Sequence, residues 1–231
     1  MEIQKLSDLF SEDIIKLSFI TKEEALKKFQ NFNPLKYAKT RNYLHGQVSK
    51  LSPLIKHGVL KNNELFKIIR EKFNFLESEK FIQELAWRDF WRSYAYHHPN
   101  QLWTDVERYK TGFKASDYQD IIPKDIESAQ TPTQVINIFI ENLKETGYLH
   151  NHARMYVASY VVHFRRVKWQ AGAKFFLTHL LDGDIASNNF SWQWIASTFA
   201  GKPYIFNLEN VQKYCHQTVN IDPYQNKEID G

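Results

Sequence analysis

Glu84, Trp87, Arg88 and Trp91 stand at i, i+3, i+4 and i+7, so on a helix they share one face. Read plainly, Glu84 and Arg88 form an i,i+4 ion pair flanked by semi-buried indoles. Further along, Asn151, Arg154 and Met155 repeat the helical spacing. Asp182-Gly183-Asp184 makes an acidic corner, and Trp192-Gln193-Trp194 follows it. Amide, guanidinium, carboxylate and indole groups are thus gathered in one stretch, 146–199. A large, flat, anionic cofactor needs that set. Asp182 and Asp184 could instead ligate a metal. A calcium loop requires further acids and a closing Glu at fixed spacing, which this stretch lacks, so no metal site is expected. A carboxylate ahead of a helix can also be a simple cap.

The elements that must position these groups read as helices. Thr21 and Glu24 form a capping box that starts a helix running to about Asn31. Asn33-Pro34 ends it, because the residue before proline leaves the α region. From Tyr37 to Lys50 the chain is polar and turn-prone. Ser52-Pro53 reads as N-cap and N1 of a helix stopping near His57-Gly58. Leu65, Ile68, Ile69 and Phe73 mark a helix over 63–74. The next covers 78–96, with Phe81, Ile82, Leu85, Phe90 and Tyr94 toward the core. The stretch 97–129 is a long irregular connection of the kind that carries function or wraps a core.

Thr131-Pro132 opens another helix as N-cap and N1, with Val135, Ile138, Phe139 and Leu143 as its stripe and Gly147 closing it. Helices over 150–166 and 170–181 lead to the acidic corner, and a short one lies within 204–214. Residues 1–20 read as a short helix or arm. The polar tail 216–231 is expected to fray. Nothing shows sustained period-2 alternation, so the fold class is all-α, a single helical domain over 1–215.

Bulk properties narrow the function further. The chain has 231 residues, long enough for one substantial core. A net charge of +4 leans mildly toward anionic partners without establishing nucleic-acid binding. The single cysteine, Cys215, excludes an internal disulfide framework and a four-cysteine iron–sulfur cluster. A reducing, cytoplasmic compartment is the default. No signal peptide and no membrane-spanning run is evident. Aromatic residues reach 15%, which suits either a well-packed core or ring-lined binding and electron-transfer positions.

Three separated motifs carry a resemblance: TGYLHNHARM, DGDIASNN and WQW, in that order. The chain from Tyr37 to Thr198 resembles the FAD-binding domain of the DNA photolyase and cryptochrome family. ELAWRDF (84–90) resembles that family's E-L-x-W-R-[DE]-F motif, and VSKLSP (48–53) its TSRLSP segment.

The resemblance implies an FAD site built from Tyr37, Val48, Ser49, Lys50, Leu51, Ser52, Phe81, Glu84, Arg88, Asn151, Arg154, Asp182, Gly183, Asp184 and Asn188. Ser49 and Ser52 would hold the diphosphate. Val48 and Lys50 depart from the usual Thr and Arg, which weakens phosphate binding there. Asn188 would face the flavin N5 edge, Arg154 would lie beside the isoalloxazine, and Gly183 would keep the corner tight. Trp192, Trp169 and Trp103 match the electron-hopping tryptophans. Trp87 and Trp194 match the indoles that stack on a flipped-out pyrimidine dimer. Glu84 matches the carboxylate that contacts the dimer, and Met155 a lesion-side methionine.

The implied activity is that of a lyase. Blue light drives an electron from reduced FAD to cyclobutane pyrimidine dimers in damaged DNA, single strands preferred. Arg165, Arg166 and Lys168 are the candidate phosphate contacts at the rim. The family's N-terminal antenna domain has no counterpart in these residues, so no second antenna chromophore is expected. After Thr198 the usual PYFRIFNP gives way to AGKPYIFNLENVQKY. The alternatives are a cryptochrome-like light sensor or electron-transfer flavoprotein, and a flavin-binding module for an unknown protein partner.

Overall fold

The computed structural model describes residues 21–230. The arm read at 1–20 lies outside them. Among the described residues there is no strand, only an isolated bridge between Gln119 and Val167. The all-α expectation holds.

Helix α1 (Lys22–Gln30) begins at the predicted capping box, with Thr21 N–H on Glu24 and Glu24 N–H on Thr21. Asn33-Pro34 ends it and also starts α2 (Pro34–Thr40), since the Asn33 side chain caps the amide of Lys36. Tyr37 therefore sits on a helix, where a polar turn was expected. Helix α3 (Ser52–Lys56) starts one residue earlier than read, with Leu51 as its N-cap residue. Helices α4 (Asn62–Lys72) and α5 (Phe75–His97) follow. A reciprocal Asn74/Glu77 capping box starts α5 three residues ahead of the expected position.

On α5, Phe81 points into the core, 5% exposed, against Phe29, Phe32 and Tyr37. Phe90 does not, being 47% exposed. It stands three residues from Trp87, on the side the core leaves open. The connection 97–129 holds short 3₁₀ pieces and α6 (Lys124–Glu127).

The buried centre is made by α7 (Gln134–Thr146) and α8 (Asn151–Ser159). Thr133, not Thr131, stands at the N-cap position of α7. Thr131 is used instead to hold Asn137 through its backbone and hydroxyl. Gly147 ends α7 at φ +67, the left-handed conformation that glycine adopts without strain. A Cβ there would also lie 2.6 Å from Leu181 Cγ, so this corner is pressed against the acidic corner.

After Ser159 the helix widens into a π turn over Tyr160–Phe164 rather than running on to 166. Helices α9 (Trp169–His179), α10 (Ile185–Ala196) and α11 (Leu208–Cys215) complete the domain. The tail expected to fray is packed. Asn226 and Ile229 are buried, and the Glu228 carboxylate accepts from Thr133 and Tyr160 hydroxyls at 2.7 and 2.6 Å. Polar composition misled here, because Asn226 and Glu228 find partners in Val135, Thr133 and Tyr160.

Gly172 on α9 fixes the distance to α10. A Cβ there would fall 2.2 Å from Trp192 Cζ3, so the indole occupies the space a side chain would need. Gly172→Ala is expected to cost about 2 kcal/mol by overpacking and to displace Trp192. Chemical denaturation together with tryptophan fluorescence would check this; an unchanged midpoint and emission would refute it.

Candidate functional site

The site forms where α5, α8 and the Asp182–Asp184 corner meet. Asp182 is buried, and both its oxygens receive Arg154 Nη2, at 3.0 and 2.9 Å. Arg154 is oriented by its Nε, which donates to Leu149 O at 2.7 Å. Burial alone would raise the Asp182 carboxyl. The Arg154 charge and hydrogen bonds, a Ser52 hydroxyl and the Arg88 charge win, and hold it below the usual range.

Asp184 caps α10 by accepting from the amide and hydroxyl of Ser187, each at 3.1 Å. Its other oxygen faces three cations: Arg92 at 2.9 Å, Lys56 at 3.7 Å and Arg88 at 3.9 Å. Against burial, the Ser187 amide, Arg92 and the Arg88 charge hold the carboxyl below its usual range. Ser52 and Lys56 thereby tie the VSKLSP segment to the acidic corner. Within that segment Ser49 accepts from the Leu51 amide at 3.4 Å, Leu51 is buried, and Lys50 takes a left-handed φ of 51°. Val48, Ser49 and Ser52 are half-buried.

Glu84 does not pair with Arg88. It pairs with Arg41 at 3.0 Å and Lys80 at 2.8 Å. Arg88 turns the other way, toward Asp184, because a buried carboxylate there outcompetes a half-exposed one. The Arg88 side chain is 14% exposed, yet its Nε and Nη2 make no hydrogen bond. Desolvation pulls this guanidinium below its ordinary value, with Asp184 opposing. Tyr37 lies at the edge of the Phe81 cluster and bonds Arg41.

Asn151 is exposed, with its amide 3.7 Å from the Met155 sulfur. Asn188 spends its N–H groups on Ala173 O at 3.1 Å and Asn189 Oδ1 at 2.9 Å, which leaves its carbonyl as an acceptor.

The indoles divide into two sets. Trp87 and Trp194 are 49% and 43% exposed. Trp87 stacks on Trp91, Trp91 stacks on Phe190 of α10, and Trp194 lies against Tyr204. No ring contact joins Trp87 to Trp194. Trp192 and Trp169 are buried at 2% and 0%, and Trp103 stacks parallel to Trp169 with centroids 6.4 Å apart.

Arg165 and Lys168 are already paired, with Asp125 and Asp120, and Arg166 lies over the Phe113 ring. All three face the 113–125 loop. They are not spare cations at the Asp182–Asp184 corner. Lys56 and Arg92, which gather there on Asp184, and Arg41, which pairs with Glu84, escaped the sequence reading. Arg92 was findable, since it continues the Glu84–Arg88 face by one more turn, and Arg41 stands i+4 from Tyr37. Lys56 had no local signal, because only the fold brings it to Asp184.

The family described as the FAD binding domain of DNA photolyase matches residues 81–226. The chain belongs to this family. A deoxyribodipyrimidine photo-lyase of Streptomyces griseus is 35% identical over 150 residues, covering 65% of this chain and 32% of that protein. A cryptochrome DASH of Idiomarina loihiensis is 32% identical over 193 residues, covering 81% and 42%. An archaeal photolyase structure from Sulfolobus tokodaii, determined with two FAD molecules, superposes with a TM-score of 0.70 at 28% identity, covering 84% and 44%. The chain thus spans less than half the length of each of these relatives.

The domain's cofactor is FAD, and the residues present fit it. Cations outnumber carboxylates around Glu84, Asp182 and Asp184, as a diphosphate requires. The unsatisfied Arg88 fork is a donor set that the protein itself does not use. Among the described residues no helix is long and apolar enough to cross a membrane, and no metal-binding cluster exists.

Proposed function

We propose that this chain is a photolyase-like flavoprotein that reverses cyclobutane pyrimidine dimers in DNA under blue light, with single strands preferred. The observation that carries this reading is the pair of half-exposed indoles, Trp87 and Trp194, on the two helices that flank the Arg88–Asp184 contact. Bound, reduced FAD supplies the light-driven electron.

The remaining work falls to the chain's own residues. Exposed ring faces at Trp87 and Trp194 receive an extruded base. Extrusion costs a few kcal/mol from a duplex and less from a single strand, while each stacked base returns about 1–3 kcal/mol. Both Glu84 ion pairs use Oε1, so Oε2 remains to accept from an N–H of the dimer. The Asn188 carbonyl and the Met155 thioether complete the lesion side. Arg154 and Arg88 hold positive charge beside the isoalloxazine. Arg92, with 46% of its side chain exposed, is the natural contact for a strand's phosphate.

A cryptochrome-like sensor or electron-transfer flavoprotein is the second reading. It is favoured by the 32% identity to a cryptochrome DASH over 81% of this chain.

Dimer reversal under blue light with prereduced protein tests the first reading. Trp87→Ala and Trp194→Ala should each slow repair by roughly tenfold or more, the loss of one stacking contact, with FAD still bound. No reversal on single- or double-stranded substrate by fully loaded, reduced wild type would transfer the assignment to the second reading.

A further inference from the structure

Trp169 and Trp103 sit in opposite electrostatic surroundings. The Trp169 ring is fully buried, and its Nε1–H donates to Asp105 Oδ1 at 2.7 Å. The same oxygen accepts from Gln170 Nε2 at 3.1 Å, which fixes the carboxylate in place. Trp103 carries a cation instead, with Lys174 Nζ 5.6 Å from its ring centroid. The two rings are parallel within 6°.

A carboxylate on an indole N–H stabilises an electron-poor ring, and an ammonium over a ring face destabilises one. Lys174 is exposed and water-screened, so Asp105 makes the larger contribution. Trp192 reaches this pair through Gly172, one turn along α9 from Trp169.

We propose that oxidising equivalents entering at Trp192 stop at Trp169, with Asp105 as the positioning base, and do not pass on to Trp103. This rests on the electron-transfer role assigned above to Trp192 and Trp169. Photoexcited oxidised FAD is the oxidant. Trp192 would give up one electron to it, and Trp169 returns one electron to Trp192. The Trp169 Nε1 proton moves to Asp105 Oδ1 as the electron leaves, giving a neutral indole radical and a carboxylic acid. An added thiol later restores one electron, and Asp105 Oδ1 returns the proton to Trp169 Nε1.

Transient absorption of the FAD-loaded protein after a blue flash separates the outcomes. Wild type should give a long-lived neutral tryptophan radical. Asp105→Asn should give a protonated radical cation that decays at least about tenfold faster, because the charge stabilisation and the base are both lost. Trp103→Phe should leave the radical's yield and lifetime within about twofold of wild type, and Trp169→Phe should abolish it. Far-UV melts of the apo-proteins show whether each variant is folded. Should Asp105→Asn fail to fold, Trp103→Phe against Trp169→Phe still decides. Loss of the long-lived radical in Trp103→Phe, or an unchanged radical in Asp105→Asn, overturns the proposal. A radical that survives Trp192→Phe overturns the electron route itself and is recognisable as that separate failure.

Discussion

Arg154→Ala should release FAD and lower the melting temperature of the apo-protein by roughly 10 °C. The reason is the burial of its partner. The Asp182 side chain is 4% exposed and has Arg154 on both oxygens. Removing the guanidinium leaves a carboxylate that neither water nor a full set of donors can satisfy. Breaking such a pair costs about 3–5 kcal/mol, and at this chain length each kcal/mol shifts the midpoint by about 2–4 °C.

Two further losses follow. The Leu149 carbonyl loses its Nε donor, so the start of α8 loosens. The cation assigned to the isoalloxazine disappears. Calorimetry on apo- and FAD-loaded protein measures both effects. Arg154→Lys should restore part of the stability and little of the flavin binding, because an ammonium cannot reproduce the fork. Wild-type flavin content in Arg154→Ala would refute the placement of the site.

The helical class was legible because polar-to-apolar spacing, caps and turn residues agreed along the chain. Thr21/Glu24 and Gly147 behave as their residue types dictate. The acidic corner and the WQW tryptophans were legible as local motifs. What escaped was decided by competition between distant groups. Glu84 and Arg88 have ideal spacing for an ion pair, yet each finds a better partner from another segment. Phe90 has a core residue's chemistry but stands on the open side of α5. Asn226 and Glu228 look like tail residues until the amide of Val135 and the hydroxyls of Thr133 and Tyr160 claim them. Asp105 looked like part of a loop, and only the fold shows its bond to Trp169.

Acidification from about pH 7 to about pH 5 should destabilise the domain by roughly 4 kcal/mol, with two histidines carrying the effect. His150 and His152 are 1% and 8% exposed. Burial, then the charges of His152, Arg154, Lys50 and Arg41, lower His150 to about 3. Burial, then Arg41, lowers His152 to about 4. Both are therefore neutral in the folded protein, whereas the unfolded chain protonates them near pH 6.5. Below that pH the unfolded state binds more protons, so stability falls as pH drops, until the folded-state values are reached. Over this interval each histidine contributes roughly 2 kcal/mol.

Asp182 acts only further down. Its folded value is depressed, so its contribution is full above the ordinary carboxylate range and is lost progressively as the pH falls through that range toward the folded value. The neutral state of His150 is also structural, since its Nδ1 accepts from the His152 amide at 3.1 Å and caps α8. His150→Asn keeps an N-cap acceptor and removes the titration. Urea unfolding across the same pH range should then show about half the acid loss in His150→Asn. An acid loss as large as wild type's would mean that His150 is not held neutral, and that another group drives the response.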